Sequence, residues 1–398
     1  MAYLAFARQN ARPLLFGLLH SFYSAPGQTY VIGLFAASMA ATIGVGPAEI
    51  GGLYLAATLG SAFTLIFVGH WIDHVRLVHF SAAVVIGLAC ACFVTALATG
   101  PLVLFVAFYL LRLTGQGLMS HVEATATART FDAERGRALG ITALGIPLSI
   151  VVFPPLAIAG IEAIGWQATY AGLGAGALFV IFPVTQWLLR TFKRAPPGMT
   201  RPEGARRSLF AGLRELLRSR HFRLIVPALA IFPFHMTGVM FHIVTIAEDK
   251  GWSPTVVAAS YPVMAAASVT GLFLSGWLID RSSARKLFPM VPLPLLGGIA
   301  LMAFASPAAI VPVAFALLGL ADGFARTTTN AIWAELFGVA TLGAIRSAAV
   351  MYMVFMSGLS PFVLGLALQS GMSVPAILWS LVGAGLVLLI PAAMSTRL

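Results

Sequence analysis

Twelve apolar stretches follow one another along this 398-residue chain, near 13–42, 50–70, 78–98, 101–127, 138–161, 167–189, 224–247, 254–279, 287–305, 308–335, 342–367 and 373–394. A helix needs about 20 mostly apolar residues to cross the hydrocarbon of a bilayer. Backbone groups in lipid must pair within their own segment, so the helix is the one open-chain solution available. The expected fold is therefore an all-α polytopic membrane protein of about twelve transmembrane helices. Only 9% of residues are charged, against roughly 25% in soluble domains, too few to make a water-exposed surface. Residues 1–27 have the outline of a secretory signal, but the apolar pattern resumes at once, which predicts an uncleaved first membrane helix.

The charge distribution gives orientation. Lys and Arg outnumber Asp and Glu, 24 to 13. Nucleic acid is not the implied partner, because the basic residues sit in short clusters between apolar runs. With the N-terminus inside, all of them except Lys250, Arg112 and Arg326 fall on the cytoplasmic side, as the positive-inside rule requires. Both termini are then cytoplasmic. The long basic break predicts a cytoplasmic linker over 190–223, with its segment Arg206 to Arg223 lying along anionic lipid. Cys90 and Cys92, two apart in one helix, point in different directions and predict no disulfide.

The two halves repeat at a constant offset of 207 residues. Gly44 matches Gly251, Pro47 Pro254, Tyr54 Tyr261, Ser61 Ser268, Gly69 Gly276, Ile72 Ile279, Asp73 Asp280 and Pro154 Pro361. This predicts six-helix bundles over 1–189 and 224–398, joined by 190–223. In proteins built from such repeats the solute site lies near mid-membrane between the halves.

The loop after the second helix reads GHWIDHVRLVHF from Gly69, and its counterpart reads GWLIDRSSARK from Gly276. Each gives Gly, three residues, Asp, then Arg. On this repeated motif the chain resembles the major facilitator superfamily. The strings GQTYVIGLF, LRLTGQGLMSH, RGRALG, EDKGWSPT and LGAIRS are similar to a bacterial branch near the monocarboxylate and oxalate/formate porters. The first-helix acidic signature of monocarboxylate carriers and their eighth-helix Arg are missing here, so substrate class does not carry over. Gly69 and Gly276 permit close backbone approach. Asp73 and Asp280 are suited to the N-terminus of a neighbouring helix. The resemblance implies that these neighbours are the eleventh and fifth helices, and that the loops gate the inner side. Arg76, Arg281 and Arg285 are expected to pair with acids there, with Glu335 and Asp132 as candidates.

Polar residues within the spans are the binding candidates, since ionisable groups in a membrane face a cavity or a partner. In the fourth helix Arg112 and Gln116 share a face, followed by His121; a guanidinium there suits a carboxylate. In the tenth, Asp322 and Arg326 form either an internal salt bridge or a protonatable solute site. Gln28 and Tyr30 interrupt the first helix, Gln28 corresponds to His235 in the seventh, and His242 lies two turns further on. Glu123 is a gate or relay candidate. No metal-ligand spacing and no phosphate loop occurs, so no cofactor and no direct use of ATP is expected, and no enzymatic activity. The expected function is secondary active transport of a small organic anion or polar metabolite, with protons as possible co-substrate, by a monomer in the bacterial cytoplasmic membrane. The rivals are an exporter of lipophilic or cationic compounds and a non-transporting receptor or scaffold.

Overall fold

The computed structural model describes residues 2–131, 133–190, 220–337 and 342–395. Among them every regular element is a helix. A short helix, Ala2–Gln9, precedes α1, which comes in two pieces, Ala11–Tyr23 and Thr29–Ile43, joined by a 3-10 turn at Ala25–Gly27. Pro26 explains the break, because its ring fits the start of a turn and offers no N–H to continue the ladder. Next come α2 (Pro47–Asp73), α3 (Leu77–Ala96) and α4 (Pro101–Thr130). The middle of α4, Arg112–Met119, is wound as a π-helix. One 56-residue helical stretch, Arg135–Arg190, follows; it opens with the short helix Arg135–Thr142. It turns at Gly165, where φ is 82° and ψ 162°, and so makes α5 (145–164) and α6 (166–190).

The second half begins with α7 (Arg220–Phe241), followed after His242 by Ile243–Lys250. Then come α8 (Pro254–Arg281), α9 (Leu293–Phe304), α10 (Val311–Phe337), α11 (Leu342–Gln369) and α12 (Val374–Ser395). Ten stretches among the described residues are long and apolar enough to cross a membrane. The long stretch counts twice, and the broken α1 adds one more. The result agrees with about twelve spans. Lipid is the solvent these helices are built for: Phe273 on α8 is 70% exposed and Phe179 on α6 is 72% exposed.

Contacts group the chain into two compact units, Met1–Val45 with Gly52–Met199, and Gly46–Gly51 with Thr200–Leu398. Each carries the same marks of the repeat. Gly44 and Gly251 adopt left-handed φ of 76° and 68°, and Gly165 and Gly371 both have φ of 82°. Tyr54 meets Phe108 edge-on at 5.9 Å, and Tyr261 meets Phe315 edge-on at 5.0 Å, both pairs one repeat apart. Such a pair is worth about 0.5–1.5 kcal/mol beyond its buried area. Cys90 and Cys92 are unpaired. The segment Arg206 to Arg223 lies almost wholly outside the described residues, as does Asp132.

Close helix approach differs between the units. In the first, Gly27 at the break in α1 lies against Gly115 in the π segment of α4; a Cβ on Gly115 would stand 2.8 Å from the Gly27 Cα. In the second, Gly319 and Gly323 on α10 press on the Met264 and Ser268 carbonyls of α8, while Gly271 presses on the Leu320 carbonyl. Small residues at such crossings let backbones meet where lipid offers no hydrophobic drive.

Candidate functional site

The polar face of α4 is held against the break in α1 by the Gly27–Gly115 contact. Arg112 opens the π segment and is buried, at 5% exposure. Its Nη1 donates to Thr29 Oγ1 at 3.4 Å, and its guanidinium lies over the Tyr54 ring, 5.2 Å from the centroid. The Thr29 and Tyr54 hydroxyls are themselves hydrogen-bonded, at 2.6 Å. Three helices, α1, α2 and α4, thus converge on one cation. Among the described residues no carboxylate pairs with Arg112. A guanidinium has five N–H donors, so one long hydrogen bond leaves most of them for another acceptor. One turn on, Gln116 Oε1 is buried without a partner.

The other expected residues of the first unit make bonds between its helices. Gln28 donates to Ser24 Oγ at 3.1 Å, spanning the break in α1. Tyr30 shares a 2.6 Å hydrogen bond with Ser149 on α5. His121 bonds the Gly69 carbonyl of α2 through Nε2 at 2.9 Å. In the second unit His235 places Nδ1 2.8 Å from the Ile231 carbonyl and Nε2 2.8 Å from the Leu381 carbonyl of α12. His242 joins α7 to α11 through the Pro361 carbonyl at 2.9 Å.

Asp322 is buried on α10. Its carboxylate accepts from Arg326 Nε at 2.9 and 3.1 Å and from Ser268 Oγ of α8 at 2.6 Å. The charge of Asp322 is therefore matched on its own helix, in the i,i+4 geometry that α-helices favour. Ser268 is the repeat partner of Ser61, yet Ser61 turns to its own Thr58 carbonyl.

The two loops of the repeated motif are built differently. Gly69–Asp73 tightens into a 3-10 turn, and Asp73 forms an ion pair with Arg129 at the end of α4, which also donates to the Ile72 carbonyl at 3.1 Å. In the second unit α8 runs as α-helix through Gly276 and the exposed Asp280 to Arg281, whose guanidinium lies 3.9 Å from the Trp277 ring centroid. Here the fixed carboxylate is that of Glu335, at the end of α10. It accepts the backbone N–H of Ala284 at 2.8 Å and of Arg285 at 3.4 Å, capping the short helix Ala284–Leu287. Glu335 thus meets the Arg285 segment through its main chain. Arg76 is exposed at the start of α3. Sequence reasoning did not single out Arg129 as the partner of Asp73; its place in the basic cluster at the end of α4 was the available signal.

Helices for about twelve spans in two repeated units, with a buried polar cluster on α1, α2 and α4 of the first, are the architecture of a polytopic membrane transporter. The chain belongs to the Major Facilitator Superfamily, whose profile matches residues 18–361. A search of curated proteins gave no sequence match. Among solved structures, the chain is similar to a bacterial homologue of the human lysosomal transporter Spinster in an inward-facing, unoccupied conformation. The TM-score is 0.74 at 16% identity, over 98% of this chain and 97% of that one. It is also similar to the nucleoside transporter NupG, with a TM-score of 0.76 at 13% identity over 97% and 99% of the two chains. At such identities the likeness shows the fold.

Proposed function

We propose that this protein is a secondary active transporter that moves a small organic anion by alternating access, coupled to protons. In this reading it works as a monomer in the bacterial cytoplasmic membrane, with both termini inside. Residues 1–189 and 224–398 are its two halves and 190–223 the cytoplasmic link. One observation carries the reading: Arg112 is a buried cation whose donors are largely unused. A hydrogen bond to a charged group contributes about 1.5–3 kcal/mol, and a carboxylate can take two from one guanidinium. Thr29 and Tyr54 orient the cation, Gln116 lies one turn further along α4, and the rim residues Gln28, Tyr30 and His121 hold the helices around it. The motif residues Gly69, Asp73, Arg76, Gly276, Asp280, Arg281 and Arg285, with Glu335, form the inner gate. The similar structures include a nucleoside transporter, which fits a small organic solute; small carboxylates are the first compounds to try, because each can take the forked donors of Arg112.

The test is uptake of labelled formate, oxalate, lactate and pyruvate, with labelled organic cations as controls, into proteoliposomes. Wild-type protein should accumulate at least one of these acids when the pH gradient favours proton entry. Arg112→Ala should lower that uptake by about 100-fold or more, the loss of roughly 3 kcal/mol of charge-assisted bonding. Equal uptake by correctly inserted Arg112→Ala, or transport of the cations alone, would overturn the proposal.

A further inference from the structure

A second ionisable group on α4 is left unused by the anion site. Glu123 lies eleven residues beyond Arg112 and six before Arg129. It is 9% exposed, and Thr142, at 0%, donates to its Oε1 from the end of the short helix Arg135–Thr142. Thr127, one turn on from Glu123 and on the same face, is 2% exposed, and its Oγ1 has no hydrogen-bond partner. Both threonines converge on Gly17 of α1: a Cβ there would stand 2.8 Å from Thr127 Oγ1 and 2.7 Å from Thr142 Cγ2. Glycine at this position leaves the room in which a carboxyl and two hydroxyls gather between three helices.

No cation balances this carboxyl among the described residues. The basic and titratable groups on the elements packed around it are committed elsewhere. His20 of α1 bonds Ser81 and the Phe16 carbonyl, and His121 bonds the Gly69 carbonyl. Arg129 pairs with Asp73. Arg137 lies over the Phe6 ring, Arg12 over the Trp187 ring, and Arg135 and Glu134 are exposed. An ionised carboxylate buried without a counter-charge is strongly disfavoured, and neutralisation is the usual escape. A metal ion is a poorer fit, since one carboxyl and two hydroxyls fall short of the roughly six oxygens that a hard cation gathers.

We propose that Glu123, hydrogen-bonded by Thr142 and with the unpartnered hydroxyl of Thr127 one turn away on the same helix, is the proton-binding site of this transporter. The step is a simple protonation: the carboxylate takes a proton from water when the inner end of α4 opens, holds it as a neutral carboxyl when the cluster closes, and returns it to water. This rests on the proton-coupled reading above, but its test needs no organic solute, so the two can fail separately. The measurement is infrared pH titration of the protein in liposomes, with carbon-13 glutamate to single out the glutamic acids. Wild-type protein should show a protonated-carboxyl band near neutral pH that is missing from Glu123→Gln. Thr142→Val should keep the band but shift it to higher frequency, as the hydrogen bond is lost; this variant also serves if Glu123→Gln does not fold. Identical glutamate spectra in wild type and Glu123→Gln from acid to neutral pH would overturn the proposal. So would a band that disappears on replacing choline chloride with sodium chloride at constant pH, which would mark a sodium site.

Discussion

The two halves share a scaffold and treat charge in opposite ways. In the second unit, Asp322 is closed off by Arg326 on its own helix and by Ser268 on α8. In the first, Arg112 on α4 has, among the described residues, only a long bond to Thr29 and the face of Tyr54. The glycines follow the same division: α10 is pressed onto α8 by Gly319, Gly323 and Gly271, whereas α4 meets the break in α1 through Gly115 and Gly27. One repeat has settled its buried charge within itself, and the other keeps a charge open. Under the proposed function, the first half holds the solute and the second has a mainly structural part.

The sharpest way to break this comparison after Arg112 is Asp322. Asp322→Ala removes the acceptor of both Ser268 and Arg326 and should cost about 1–3 kcal/mol. The lower end is expected because Arg326 is half exposed and its charge is screened. Thermal unfolding in detergent should show the double variant Asp322→Ala/Arg326→Ala no less stable than Asp322→Ala, since the pair acts as a unit. Full stability combined with lost uptake would instead make Asp322 part of the solute site.

Gly115→Ala comes next. The added methyl meets Gly27 and the Ser24 carbonyl, and overpacking of this kind costs about 1–3 kcal/mol. Uptake should fall because the turn that carries Arg112 moves with it; unchanged uptake would show that α1 and α4 need not touch there. The smallest effect is expected at the loops. Asp73 and Arg129 are 56% and 40% exposed, so Asp73→Asn should change stability by about 0–1 kcal/mol, and less at high salt. A larger salt-insensitive loss would show that the pair is locked into a buried arrangement.

Much of this fold was legible in the sequence because lipid imposes one solution on long apolar runs. The repeat offset then located equivalent turns, as the left-handed Gly44 and Gly251 show. Arg112 and the Asp322–Arg326 pair stood out because a charge inside a span needs a reason. The break at Ala25–Gly27 was not singled out, although Pro26 was its signal; the π segment had no mark in the sequence, since it lies where α4 meets the break in α1. Nor were the partners of the histidines: His235 and His242 bond backbone carbonyls, which every residue has and no sequence pattern marks. The cap that Glu335 places on Ala284 was hidden for the same reason, since its donor is a backbone N–H.

The most direct measurement is the thermal shift of purified wild type, Arg112→Lys and Arg112→Ala with the same panel of organic acids. A ligand that binds the folded state raises apparent stability by about 2.7 kcal/mol at a hundred times its dissociation constant. The account predicts that at least one acid stabilises wild type, stabilises Arg112→Lys less because the forked donor is gone, and leaves Arg112→Ala unmoved. Equal stabilisation of all three proteins by the same acid would contradict it.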